Sequence, residues 1–325
     1  MVGDLQRATS TLPGLVSSTG IAMGSYTRND AERSAIIEAV AHDEPDMLLL
    51  LGDQVEDGDD PSDWAYFDRV MSPIAECGIP TWAILGNHDY GSLGPPEADQ
   101  QWRRNFLRRF PHQSITPLVE IPLDDYVLLV VDSNLPAMTG YGIDLMVAEY
   151  RKRLVELDER SDVRGVIVAM HHPPVTNGGY GFGLSFGPGG MIDQLKPLFA
   201  RPFVNARKTT LFLSGHVHSY QRFIPTEGKQ FIVSGGGGGP RHRIDIGPGR
   251  RFHDDADVFR TVAERPFHYL MLDLRDDRIC MQARMLDPGS GRFYIGDSSM
   301  TRAVIPARAR RASLSIGSDA MTRLP

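Results

Sequence analysis

Residues 46–57, Asp-Met-Leu-Leu-Leu-Leu-Gly-Asp-Gln-Val-Glu-Asp, constrain this chain more than any other stretch, because an unbroken apolar run stops at a Gly-Asp pair. A strand with one face in water alternates apolar and polar residues. Four leucines in succession suit a strand buried on both faces, as in a parallel sheet covered by helices. Asp53 then stands at the carboxyl end of that strand, the edge where ligands collect in open α/β sheets because the loops leaving it vary while the sheet stays fixed. Three later segments repeat the design: Trp82-Ala83-Ile84-Leu85 before Gly86-Asn87-His88-Asp89, Val166 to Met170 before His171-His172-Pro173-Pro174, and Leu211 to Ser214 before Gly215-His216-Val217-His218.

Around these strands the pattern predicts alternating helices. Asn29-Asp30 caps a helix running to about His42, and Ser62 caps one carrying Trp64, Phe67, Val70 and Met71 on one face. Residues 97–110 and 144–160 read as helices, as does Met191 to Phe199; Tyr126 to Val131 reads as a buried strand. His268 to Leu274 and Arg278 to Leu286 alternate around Asp276-Asp277, a hairpin. Residues 8–27 and the glycine-rich 177–190 read as loops. Met1 to Asp4 is expected to be the end of a first strand cut short at the start of the chain, with Asp4 beside the strand that ends at Asp53. The rival register uses Leu15 to Gly20 as that strand. Residues 1–302 are expected to form one domain, and 303–325, rich in Arg, Ala and Ser without a core face, a disordered tail.

The formal net charge of −7 argues against a nucleic-acid-binding surface, which needs clustered Lys and Arg to neutralise phosphates. No run of about 18 apolar residues marks a membrane span. No signal peptide is visible, so the chain as written is expected in the cytoplasm. Cys77 and Cys280 have no metal-like spacing and are expected to be core thiols.

Asp, Asn and His side chains from several strand ends make a mixed oxygen and nitrogen donor set. That set suits Mn, Fe or Zn better than the all-oxygen coordination of calcium or the thiolates of a structural zinc. Two such metals about 3.5–4 Å apart activate water and stabilise both the attacking and the leaving oxygen in phosphoester cleavage. Asp53, on the central strand, is the candidate to bridge them. Taken singly, Asp53, Asn87 and Asp89 are ordinary turn residues; the weight lies in four strand ends carrying ligand types together. Of the adjacent pair His171 and His172, His171 is preferred.

The order Asp4, Gly52-Asp53, Gly86-Asn87-His88-Asp89, His171 and Gly215-His216-Val217-His218 resembles the calcineurin-like metallophosphoesterase family across roughly residues 1–290. The resemblance implies an α/β fold, a β-sandwich of mixed sheets flanked by α-helices with the site at one edge. It also implies a hydrolase that cleaves a phosphomonoester or phosphodiester of a small-molecule substrate with a metal-bound hydroxide. By the same resemblance Asp4, Asp53 and His218 hold the first metal, and Asp53, Asn87, His171 and His216 the second. His88 donates a hydrogen bond or proton to the phosphoryl or leaving oxygen, oriented by Asp89. Where the family commonly has Asp-x-His, this chain has Gln6 in the third place, a metal or water contact through its amide. Gly215 to Arg222 and the glycine run resemble the purple acid phosphatase branch, without its tyrosine ligand.

Gly235 to Gly239 looks like a phosphate cradle but lacks a following Gly-Lys-Ser or Gly-Lys-Thr, which argues against a nucleotide P-loop. Arg241 and His242 beyond it are candidate substrate contacts. A competing class is a phosphate- or metal-binding scaffold that keeps the fold and has lost turnover, motivated by Gln6 and the short first strand. His88 paired with Asp89 favours the enzyme.

Overall fold

A computed structural model describes residues 1–7, 29–91, 100–178 and 190–304. The loop at 8–27, the rival first strand at 15–20, most of the glycine-rich loop at 177–190 and all but the first residues of the expected tail lie outside the described residues. Within them the order is α1 (Asp30–His42), β1 (Leu48–Leu50), α2 (Pro61–Val70), α3 (Ser72–Glu76), β2 (Thr81–Ala83), α4 (Gln101–Arg109), β3 (Leu118–Leu123), β4 (Tyr126–Val131), α5 (Gly140–Glu159) and β5 (Gly165–Ala169). There follow α6 (Gly190–Leu195), α7 (Arg201–Asn205), β6 (Thr209–Ser214), β7 (Tyr220–Thr226), β8 (Lys229–Ser234), β9 (His268–Arg275), β10 (Arg278–Leu286) and β11 (Phe293–Arg302).

Six strands form one mixed sheet in the order β3-β4-β5-β6-β8-β7, parallel in its middle and closed by antiparallel edges. The second sheet is assembled by the first residues of the chain. Val2 bridges Leu50 of β1 in parallel, while Met1 exchanges hydrogen bonds with Leu270 of β9 at 2.6 and 2.9 Å. The N-terminal segment thus joins the parallel pair β1-β2 to the antiparallel β9-β10-β11.

The leucine run is explained by what lies on each side of it. Leu48 and Leu50 pack with Ile36, Ile37, Trp64 and Phe67 of the helices, whereas Leu49 and Leu51 face Ile167, Leu211 and Leu213 of the other sheet. In β5, Val166 and Val168 meet Tyr150 of α5 and Phe199, while Ile167 and Ala169 face inward between the sheets. Helices cover the outer faces of β1 and β5, giving helix-sheet-sheet-helix layers there, while β11 leaves Tyr294, Ile295 and Met300 exposed. Each deeply buried aliphatic side chain here contributes about 1.5–3 kcal/mol relative to exposure.

Local details depart from the expectations. Helix α2 is capped by Asp60, whose carboxylate accepts the Ser62 amide at 2.7 Å, because Pro61 takes the first helical position where a missing N–H costs nothing. Asn29 does not cap α1; its side-chain amide donates to the carbonyls of Gly238 and Gly239. The helix from Gly190 gives way to a π turn over Lys196–Ala200. Cys77 is exposed and Cys280 half-buried, so neither is a core thiol: one ends α3 at the surface and the other lies on a strand face with partial cover. Edge strands β3, β7 and β11 have no counterpart in the sequence reading.

Candidate metal centre

Four strand ends and the N-terminal segment meet at one edge. The N-terminal segment brings Asp4 and Gln6, β1 brings Asp53, the turn after β2 brings Asn87, His88 and Asp89, β5 brings His171, and β6 brings His216 and His218. The chain must leave each strand sharply to turn these side chains over the edge. Of the five non-glycine residues at positive φ among those described, three are Asp4 (61°), Asp53 (52°) and His216 (65°). Asp and His tolerate this region better than most residues, yet each such position costs on the order of 1–3 kcal/mol and persists where the surroundings enforce it. Gly52, at φ 99°, precedes Asp53, and a Cβ there would run into the His171 ring. A Cβ on Gly86 would lie on the Asp53 carboxylate.

Asp53 is central and buried. Its Oδ2 lies 3.2 Å from His171 Nε2 and 3.4 Å from Gln6 Nε2, while Oδ1 accepts the His88 amide at 3.0 Å. His171 Nδ1 donates to the Leu51 carbonyl at 2.9 Å, which fixes the ring so that Nε2 faces Asp53 and Asn87 Oδ1, the latter at 3.2 Å. His216 Nδ1 approaches the same Asn87 oxygen at 3.1 Å. On the other side Asp4 accepts the His216 amide on both oxygens, at 2.9 and 3.0 Å, and its Oδ1 lies 3.4 Å from His218 Nε2. His218 Nδ1 is committed to the Pro240 carbonyl, so its Nε2 is the atom left for the cleft. Donor atoms of Asp4, Asp53 and His171 all lie within 4.8 Å of one another, as do those of His171, His172 and His216. His172 differs in that its Nδ1 pairs with the Ser133 hydroxyl at 2.9 Å.

The charges fit a cation. Burial alone would raise the Asp53 carboxyl, but His171 beside it pulls harder and holds it below the usual carboxylate range. Burial pulls His171 down in turn, and Asp53 outweighs it, leaving the imidazole at about 9. The negative charge of Asp53 that attracts the proton also attracts a metal ion, which would displace that proton from His171. Burial, with His171 nearby, depresses His216 to about 3, which keeps it neutral and its ring nitrogen available as a ligand.

Two expected roles change. The Asp89 carboxylate does not reach the His88 ring: it accepts the amides of Asp53 at 2.9 Å, Gln54 at 2.9 Å and Gly86 at 2.8 Å, and so ties the β1 and β2 turns together. The Val55 amide, at 3.4 Å, is a fourth donor, so the acceptor sites of the carboxylate are taken up by backbone N–H groups. His88 is held instead by its Nδ1, which donates to the Glu56 carbonyl at 2.8 Å. Burial lowers the His88 pKa, but Asp53 and Glu56 together raise it above the ordinary value. Arg241 is turned to Glu264, 2.7 Å away, and lies over the Phe267 ring. His242 stacks on His218 with centroids 4.0 Å apart, its Nδ1 accepting the His218 amide at 3.1 Å.

The glycine run is no open cradle. The amides of Gly235, Gly237 and Gly239 donate to the carbonyls of Ser219, Gly3 and Asp4, so the run lies flat against the segment that carries Asp4. Arg33, missed in the sequence, is fully buried and donates to the carbonyls of Gln6 and Gly238 at 2.8 Å each, clamping the same two segments. The strand end after β4, Asp132-Ser133-Asn134, was also missed. Its signal was the pattern of the others, an apolar strand stopping at polar residues.

A family model described as calcineurin-like phosphoesterase matches residues 1–220. A protein of Synechococcus sp. described as a probable cyclic nucleotide phosphodiesterase is 31% identical over 189 residues, which cover 57% of this chain and 61% of that protein. Among solved structures, a purple acid phosphatase from yellow lupin seeds superposes with a TM-score of 0.61 at 17% identity, covering all of this chain and 56% of the lupin chain. A dimetal phosphatase from Danio rerio gives 0.57 at 12% identity, over 93% of this chain and 97% of that one. At such identities the two structures show the fold alone. The chain spans under two thirds of the length of the Synechococcus and lupin proteins, and among the described residues no helix is long and apolar enough to cross a membrane. With more than half of its length matched by the family model, and with the ligand-type residues of its strand ends gathered at one edge, the chain belongs to the calcineurin-like phosphoesterase family.

Proposed function

We propose that this chain hydrolyses a phosphodiester at a two-metal centre. The observation that carries the reading is the convergence of Asp4, Asp53, Asn87, His171, His216 and His218 on one edge, with buried Asp53 in the middle and His88 on the same turn as Asn87. Asp4, Asp53 and His218 would hold one metal; Asp53, Asn87, His171 and His216 would hold the other. Manganese, iron and zinc all match the donor set. Bound there, the metals supply an activated water and neutralise charge on the phosphoryl oxygens. The chain's own residues do the rest. His88, held through Nδ1, presents Nε2 to the leaving oxygen as a proton donor, a role that accounts for about 10²- to 10⁴-fold in rate. Asp89 keeps the two metal-side turns in register.

Gln6 is assigned the family's third position. Its Oε1 is buried without a hydrogen-bond partner, an orphaned acceptor beside Asp53 and His218, and an oxygen in that state suits a metal or its water.

The diester preference is supported by the Synechococcus relative, a probable cyclic nucleotide phosphodiesterase, and by the commitment of Arg241 to Glu264, since a singly charged diester draws less on such cations than a doubly charged monoester. Assays with bis-p-nitrophenyl phosphate, p-nitrophenyl phosphate and cyclic nucleotides in the presence of Mn²⁺ test it. Diester turnover exceeding monoester turnover is expected. Turnover of the monoester alone would overturn the preference, and no turnover with both metals bound would leave the scaffold reading in its place.

A further inference from the structure

Asp132, Ser133 and Asn134, at the end of β4, are buried at the edge where the ligand-type residues gather, yet none of them is in the proposed ligand set. Their polar groups reach sideways instead. Asp132 Oδ1 accepts the Asn134 amide at 2.9 Å, and Oδ2 accepts the hydroxyl of Tyr90. Next to it, Ser133 Oγ accepts the His172 amide at 2.9 Å and pairs with the His172 ring. Tyr90 closes the 3-10 turn that begins at His88, and His172 follows His171. Two adjacent residues just after β4 therefore grip the turn carrying Asn87 and His88 and the turn carrying His171.

The hydrogen bonds of His88 and Asp89 act within their own sheet, while Asn87 Oδ1 faces His171 Nε2 and His216 Nδ1 across the cleft. Asp89 gathers amides from the β1 and β2 turns, and the His88 amide donates to Asp53. Those contacts fix the turn against β1. Tyr90 donates across to the six-stranded sheet, so its hydroxyl helps to set the spacing between His88 and the wall formed by His171 and His216. Its ring is independently seated on Trp102, with centroids 4.6 Å apart, and stays in place without the hydroxyl.

We propose that Tyr90 and Asp132 are positioning residues: by bridging the two sheets at the active edge they hold His88 in line with the leaving oxygen of the substrate. The proposal rests on the reading of His88 as proton donor. A donor that wanders loses rate in proportion to how much the leaving group needs its proton, so the device shows itself in leaving-group dependence rather than in a uniform loss.

The test compares the p-nitrophenyl and phenyl diesters of one alcohol, the first leaving readily and the second needing protonation, with the metal-loaded protein. Tyr90→Phe should slow the phenyl ester about 10-fold, part of the 10²- to 10⁴-fold available to general acid catalysis, and the p-nitrophenyl ester less than about 2-fold. KM and metal content should not change. In the double variant with His88→Ala, the Tyr90→Phe change should add nothing, because the group it positions is gone. Asp132→Asn, which keeps the shape and weakens the acceptor, should show the same pattern more weakly and carries the test should Tyr90→Phe fold poorly. Equal losses on both esters, or a further loss on top of His88→Ala, would overturn the proposal while leaving His88 as donor. If His88→Ala itself slows the two esters alike, the donor reading fails and the positioning proposal falls with it.

Discussion

The two walls of the cleft use the same side-chain chemistry in opposite orientation. On one, Asn87 turns its amide oxygen inward, so that Oδ1 faces His171 Nε2 and His216 Nδ1 at 3.2 and 3.1 Å. Three groups able to accept point at one another, an arrangement that repels unless a proton or a metal lies among them. On the other, Gln6 turns its amide nitrogen inward, 3.0 Å from His218 Nε2 and 3.4 Å from Asp53 Oδ2, and buries its oxygen without a partner. An amide hydrogen there occupies the lone pair with which His218 would bind a cation. The Asn87 wall is laid out for a positive charge; the Gln6 wall is stoppered by a donor, and its amide must turn over before Oε1 can contribute. A metal should therefore enter the Asn87 wall first.

Asp53 belongs to both walls, so its charge is the place where the comparison breaks completely. Asp53→Asn keeps the shape and removes the negative charge that would hold two cations together in the proposed centre. It should empty both positions and reduce diester hydrolysis to background, read by metal analysis of the dialysed protein beside the assay. A variant that retains two metals and normal turnover would exclude bridging.

Asp4 separates the walls. It hydrogen-bonds the His216 backbone and lies 3.4 Å from His218 Nε2, with the His171 nitrogen farther off though within 4.8 Å, so Asp4→Ala should leave about one metal per chain and little activity. His216→Ala, on the opposite wall, should also leave one metal. The two variants should differ in which affinity survives: the tighter after Asp4→Ala and the weaker after His216→Ala. Identical residual affinities would mean that the walls are equivalent.

How much of this was legible depends on where the information resides. Asp53, Asn87, His171, His216 and His218 were readable because a buried strand announces itself as an apolar run and its end as the first polar residues after it. Met1 to Asp4, expected to end a strand, forms only the single bridge of Val2 with Leu50, and that bridge places Asp4 beside Asp53. The work of Asp89 was not readable. Accepting backbone amides from two turns depends on the left-handed turn at Asp53, and no side-chain pattern encodes that. The glycine run looks like a cradle in composition, whereas its use is close backbone approach to Gly3 and Asp4, a tertiary fact. Strand β11 escaped because it is an edge strand with Gly296, Asp297, Ser298 and Ser299 in its middle. There Asp297 is fixed by buried Arg222 at 2.9 Å rather than by any apolar alternation.

The finest test of the two-wall comparison is Gln6. If its amide only stoppers the wall, removing it should free His218 Nε2 and strengthen metal binding there. If Oε1 turns in and ligates the metal or its water, removing it should weaken binding. The buried, partnerless Oε1 favours the second outcome, because an oxygen kept dry and unpaired costs about 1–3 kcal/mol that a cation would recover. Gln6→Leu retains the bulk without either polar atom. Calorimetric titration with Mn²⁺ should show the weaker of two binding events losing about 10- to 100-fold in affinity, the range typical of groups that orient a metal's ligands, with the tighter event unchanged. A gain in the weaker event would reduce Gln6 to a stopper, and a loss in the tighter event would place it on the wrong wall. Gln6→Glu completes the set: it presents oxygen in either orientation and cannot donate to His218, so metal should enter the two walls with more nearly equal affinity than in the parent chain.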